Sequence, residues 1–161
     1  MKKLLTIMIV LTLVFGTTVA ANASEGSAFN AVKSAYGRSF PLSASNTIRT
    51  ARKNIFGKYS IVLGVSAKNF KSYKAARKTN GKAEYICAIF KATKKSKVKT
   101  IKKALKKYVS KEKSSSRNYF SKTGKKLLAK AKVGSKGKYV YLFILDTKGN
   151  GRAVSAFKRS A

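Results

Sequence analysis

The sequence predicts an α+β domain: a mainly antiparallel sheet covered by helices on at least one face. Three observations carry that expectation. Two runs, YICAIF (85–90) and YVYLFIL (139–145), are continuous in apolar, aromatic and β-branched residues and short enough for buried strands. Between them lies KKSKVKTIKKALKKY (94–108), whose apolar residues recur at helical spacing. Apolar residues make up 44% of the 161-residue chain, enough for a genuine core, and a chain of this length normally makes one domain.

The elements follow in chain order. Lys2 and Lys3 precede an uncharged, mostly apolar run from Leu4 to Phe15, and Ala21-Asn22-Ala23 supplies small residues at both ends of an A-x-A cleavage signal. This is the order of a secretory signal peptide. A membrane span needs about 20 apolar residues, and Gly16, Thr17, Thr18 and Asn22 interrupt the run too early. The expected division is a cleaved signal over 1–23 and a single basic domain over 24–161, a mature chain that does not span the membrane. Cleavage removes Lys2 and Lys3 and no acid, which takes the formal charge from +33 to +31.

Ser27 to Tyr36 predicts a short helix, capped by Ser27 and stopped by Gly37. Phe40-Pro41 is an extended corner, because proline disfavours helix in the residue before it. Thr47 to Phe56 places Ile48, Ala51 and Ile55 on one face of a second helix. Lys58 to Val65 favours a strand with Gly64 at a bulge or an end. Ser66 to Lys78 is expected as a helix or a loop. Glu84 to Lys91 is a strand, and the lysine-rich segment follows it directly. Ser114 to Asn118 is a break, Lys125 to Lys132 a short helix, and Val133 to Asp146 a hairpin turning near Ser135-Lys136-Gly137. Lys148 to Gly151 forms a second turn, and Arg152 to Lys158 a terminal helix.

The lysine-rich helix is the most informative element. At 100° per residue, Val98, Ile101, Leu105, Tyr108 and Val109 fall within an arc of about 100°. Lys95, Lys99, Lys102, Lys103, Lys106 and Lys107 lie outside it. The arc can enter a lipid surface or pack on the chain's own sheet. The two apolar runs on either side need a cover, so docking on the sheet is the expectation. The lysines are then left to water. No acid occurs within 94–108 to form an i,i+4 pair. A face of one sign attracts anionic polymers. The competing reading is a general basic bias, since Lys and Arg occur in nearly every segment.

Several chemistries are excluded. The chain has no histidine, one cysteine and four acids, against 37 Lys plus Arg. Ser-His-Asp and Cys-His sites and most zinc sites are thereby removed, and no phosphate-binding glycine loop is present. No cofactor or metal is expected. Cys87 has no partner for an internal disulfide; it is read as a small buried hydrophobe, with an intermolecular bridge as the rival. One carboxylate pair remains: Glu84 opens a strand and Asp146 closes another, so antiparallel pairing brings them together as an acid/base pair requires. The bland reading has each neutralised by lysines. Aromatics interleaved with Lys in KNFKSYKAARK (68–78) and RNYFSK (117–122) offer base stacking, against the ordinary alternative that they are core.

The layout from Phe40-Pro41 through Phe56-Gly57, the strand AEYICAIFKA, the helix VKTIKKALKKYVSKEKSS, the pair Tyr119-Phe120 and the strand at 137–142 resembles an uncharacterised family of exported bacterial domains. Its members are often lipoproteins of Gram-positive anaerobes, classed as a domain of unknown function. The resemblance covers roughly 28–146. It implies an envelope or extracellular location and brings no catalytic residues. The lipobox cysteine common in that family is missing, and so is its mixture of acids with bases.

The expected function is an exported, non-enzymatic module, secreted or held at the bacterial cell surface. It would associate with an anionic polymer or surface, such as wall teichoic acid, anionic lipid or extracellular DNA, through the six lysines. The alternatives are an extracellular nucleic-acid-binding protein and a membrane-active cationic protein.

Overall fold

The computed structural model describes residues 24–48, 61–80, 82–115 and 120–161. Its frame is a four-stranded antiparallel sheet of order β3-β4-β6-β5: β3 (Phe70–Thr79), β4 (Glu84–Ala92), β5 (Lys132–Lys136) and β6 (Tyr139–Ile144). A separate hairpin joins β1 (Ile61–Val62) to β2 (Val65–Ser66). Among the described residues four α-helices complete the α+β domain: α1 (Glu25–Tyr36), α2 (Lys95–Ser115), α3 (Lys122–Ala129) and α4 (Gly151–Ser160).

The central strands explain why their sequences lack alternation. β4 and β6 are buried on both faces, as strands inside a layered domain are. On one face Ile86, Ala88 and Phe90 of β4 and Val140, Leu142 and Ile144 of β6 meet Ile101, Leu105 and Val109 of α2 and Leu127 and Leu128 of α3. On the other, Cys87, Ile89, Tyr141 and Phe143 meet Phe29, Val32 and Tyr36 of α1 and Ala153, Ala156 and Phe157 of α4. The Tyr141 ring stacks on Phe143 at 4.6 Å and lies 4.7 Å from Phe157. Helices therefore cover both faces of the sheet.

The turns obey local chemistry. Leu63 and Gly64 both have positive φ (50° and 78°), as the two-residue loop of a type I′ hairpin requires. Of the strand expected over 58–65, the described residues 61–65 are thus folded back at Leu63-Gly64, and 58–60 lie outside the described residues. Gly137, φ 56°, opens the two-residue β5–β6 turn. Asn80 organises the β3–β4 turn: its Oδ1 accepts from the N–H of Ala83 at 2.7 Å and of Lys82 at 3.1 Å.

The cap of helix α1 lies three residues before the expected Ser27. Ser24 caps the helix, and the Ser24 and Ser27 side chains each satisfy the other's backbone N–H in a capping box. Gly37, φ 53°, ends it as expected. The helix expected over Thr47 to Phe56 falls mostly outside the described residues; Thr47 is extended and bridges to Ala76. Of the helix or loop expected over 66–78, Ala67–Asn69 is a single 3-10 turn, and the chain from Phe70 onward is instead β3. Its polar residues sit on an edge strand, where charged side chains are common, and a bulge between Phe70 and Ser72 breaks the alternation that would have revealed it. Helix α2 runs on to Ser115, into the expected break, whose remaining residues 116–118 lie outside the described set.

Candidate functional site

Helix α2 docks as its periodicity requires. Ile101 and Leu105 are fully buried and Val109 nearly so, while Val98, Ala104 and Tyr108 are half-buried against the same cluster. Each fully buried aliphatic side chain is worth about 1.5–3 kcal/mol before entropy is counted. That is enough to hold the helix on the sheet with its stripe inward.

The lysines are what remains outside. Lys95, Lys99, Lys103, Lys106 and Lys107 are exposed and Lys102 is half-exposed. Among the described residues none of the six forms an ion pair. The chain's four acids are placed elsewhere: Glu25 in the first turn of α1, Glu84 in the core, Glu112 in the last turns of α2, and Asp146 after β6. Lys95, Lys99, Lys102, Lys103 and Lys106 flank Val98 in a shallow trough of about 550 Å³ along the helix. Lys107 lies outside that trough. The first turn of α2 carries no acid, and a helix N-terminus disfavours cations by about 0.3–1 kcal/mol each. The lysines there do not serve the helix's own stability.

A second groove, about 350 Å³, adjoins the first at Lys106. It lies between α2 and the edge strand β5 and is lined by Val109, Ala131, Lys132 and Val133 among others. Lys132 is a cation that the helical pattern did not bring into view. Only the β5 register against β6 places it beside α2.

Sequence reasoning also missed the buried anchor of the helix. Glu84, with no exposed side-chain surface, accepts at Oε1 from Tyr108 Oη at 2.8 Å and from Arg77 Nε at 2.5 Å. Its Oε2 has no partner among the described residues. The three residues come from β4, α2 and β3: the ion pair joins the two strands, and the Tyr108 hydrogen bond ties the helix to them. Burial, then the Glu84 charge, push the Tyr108 phenol up, and the same two causes raise the Glu112 carboxyl against the pull of Arg77 and Lys111. The one signal available in sequence was an acid at the head of an otherwise apolar strand.

The Glu84–Asp146 pair does not form a joint site. Ile86 pairs with Ile144, so continued register would set 84 against 146. The strand ends first. Glu84 faces α2, whereas Asp146 lines a cavity with Tyr36, Leu145 and Arg152 on the α1/α4 side. The aromatics of 68–78 are likewise turned inward: Phe70 and Tyr73 pack on Phe90 at 5.3 and 5.7 Å. Phe120 is half-buried on the α2 side, and Tyr119 lies outside the described residues. Cys87 is fully buried, and burial raises its thiol pKa far above the usual range.

The model of a family described as a domain of unknown function (DUF4358) matches residues 58–145, more than half of the chain. The chain belongs to that family. The DUF4358 segment contains the whole sheet, α2 and α3, and so the lysine face and its Glu84 anchor. It begins later than the layout resemblance suggested, and α1 and α4 fall outside it. Neither the curated proteins nor the solved structures contain a match to the chain. Among the described residues no helix is long and apolar enough to cross a membrane, and no three His, Cys, Asp or Glu side chains group as metal ligands would.

Proposed function

We propose that the chain is an exported, non-enzymatic binding module that associates electrostatically with polyanions of the bacterial cell envelope. Lys95, Lys99, Lys102, Lys103, Lys106 and Lys107 of α2 are the contact residues. The observation that carries this reading is the outward lysine face of a docked helix, with no ion pair among the described residues to neutralise it. A signal-like N-terminus ahead of the basic domain supports an extracellular site of action, secreted or at the cell surface.

The same docking weighs against a membrane-active helix, which needs Leu105 in lipid rather than fully buried. The inward Phe70 and Tyr73 weigh against base stacking by the 68–78 segment. Extracellular DNA stays a partner only through its phosphates.

The test is co-sedimentation or pull-down on purified wall teichoic acid, on DNA and on anionic lipid vesicles, each at low and high salt. Binding to a polyanion is expected to weaken steeply with salt, by about 10³–10⁵ in affinity between 50 and 200 mM for six to ten phosphate contacts. Absence of binding to all three at low salt refutes the proposal.

A further inference from the structure

The far side of the sheet carries a second polar site that the lysine face does not explain. Tyr36, at the end of α1, is 6% exposed, and its Oη has no hydrogen-bond partner among the described residues. It lines a cavity of about 270 Å³ with Ser39, Leu145, Asp146, Lys148 and Arg152. A buried hydroxyl without a partner costs about 1–3 kcal/mol.

The charges around that hydroxyl are set apart. The Arg152 guanidinium lies 4.9 Å from the centre of the Tyr36 ring. Asp146 uses Oδ1 to accept the Lys148 backbone N–H at 2.8 Å. Among the described residues Asp146 pairs with neither the Arg152 nor the Lys148 side chain. In a chain with 37 cations and four acids, Asp146 shares this cavity with two cations and closes on neither. Arg152 belongs to the first turn of α4, which has no side-chain cap and no acid. Burial, then the Asp146 charge, raise the Tyr36 phenol, while Arg152 lowers it, so both charges act on the hydroxyl.

We propose that this cavity binds a small zwitterion of the amino-acid class, with its ammonium on Asp146, its carboxylate on Arg152 and Lys148, and the Tyr36 hydroxyl completing the carboxylate's hydrogen bonds. A plain anion is opposed by Asp146 and a plain cation by the two basic groups. Only a ligand carrying both charges matches both sides. The site is separate from α2, across the sheet, and does not depend on polyanion binding.

The test uses the ¹⁵N-labelled full chain titrated with glycine, 4-aminobutyrate and 6-aminohexanoate, which differ in the distance between their charges. Acetate and methylamine at matched ionic strength are the single-charge controls. A saturable shift of the Leu145–Arg152 amides is expected for at least one zwitterion, with either control at least about 10-fold weaker, as loss of a charged hydrogen bond implies. Tyr36→Phe keeps the ring on Phe40 and Arg152 and is expected to weaken binding. Asp146→Asn keeps an oxygen for the Lys148 N–H, removes the charge, and is expected to weaken it by about 10-fold or more. Three results overturn the proposal: no saturable shift with any zwitterion, acetate binding as tightly as the best one, or unchanged affinity in Asp146→Asn. Lys99→Gln and Lys106→Gln, on the opposite face, are expected to leave the shifts unchanged.

Discussion

Tyr108→Phe isolates the bond that anchors α2. The phenol donates to a fully buried Glu84 oxygen at 2.8 Å, and the ring itself stays half-buried against the core. Removing the hydroxyl deletes one hydrogen bond to a charged acceptor and leaves the ring in place. Such bonds are worth about 1.5–3 kcal/mol. Arg77 still neutralises Glu84, so the larger penalty of a bare buried charge, about 3–5 kcal/mol, does not apply. For a chain of this size each kcal/mol moves Tm by about 2–4 °C, so a fall of roughly 3–12 °C is expected. Urea unfolding followed by circular dichroism gives the free energy directly. A double-mutant cycle with Glu84→Met, which leaves no oxygen to accept the phenol, separates the pairwise term from the rest. A coupling below about 0.5 kcal/mol would show that Tyr108 and Glu84 do not act as a pair, and the anchor argument would fail.

Three further outcomes follow from the same structure. Glu112 has a raised carboxyl pKa, from burial first and then the Glu84 charge; the native state therefore holds its proton more tightly than the unfolded chain, and this group's contribution to stability falls as pH rises through the range just above 4.5. Glu112→Gln is expected to flatten that part of a Tm–pH profile, and an unchanged profile contradicts the cause. Gly124→Ala places a methyl group against the Lys82 carbonyl, a backbone atom that cannot move aside, and is expected to cost about 1–3 kcal/mol or more in the same urea assay; a neutral result would mean that α3 and the β3–β4 turn are not so close. Cys87 is expected to resist a thiol reagent in the native chain and to react on unfolding, since it is fully buried with a raised pKa; rapid native labelling refutes the double-sided burial of β4.

The parts of the fold legible in the sequence are those whose burial leaves a periodic or continuous trace. β4 and β6 showed as unbroken apolar runs because helices cover both their faces. The stripe of α2 showed because a helix docked on one side must repeat every 3.6 residues. β3 did not show, because an edge strand with a bulge and solvent-facing lysines carries neither pattern. The β1–β2 hairpin was hidden because Leu63 takes a left-handed conformation that its type gives no reason to expect. At the candidate site the six lysines could be placed on one helix from spacing alone. Lys132 and the Arg77–Glu84–Tyr108 anchor could not, since they depend on the order β3-β4-β6-β5, which no local pattern encodes. The Glu84–Asp146 idea had the right register and failed because the strand ends before Asp146.

The most direct test of the lysine face is the salt dependence of polyanion binding in a Lys99→Gln/Lys102→Gln/Lys106→Gln variant, set beside a Lys33→Gln/Lys125→Gln/Lys158→Gln variant of equal net charge. Each lost phosphate contact lowers the slope of log affinity against log salt by about 0.7–0.9. The α2 variant is expected to lose roughly 2–3 in slope while the other loses little. Equal losses in the two would mean that net charge alone governs binding and that α2 presents no site.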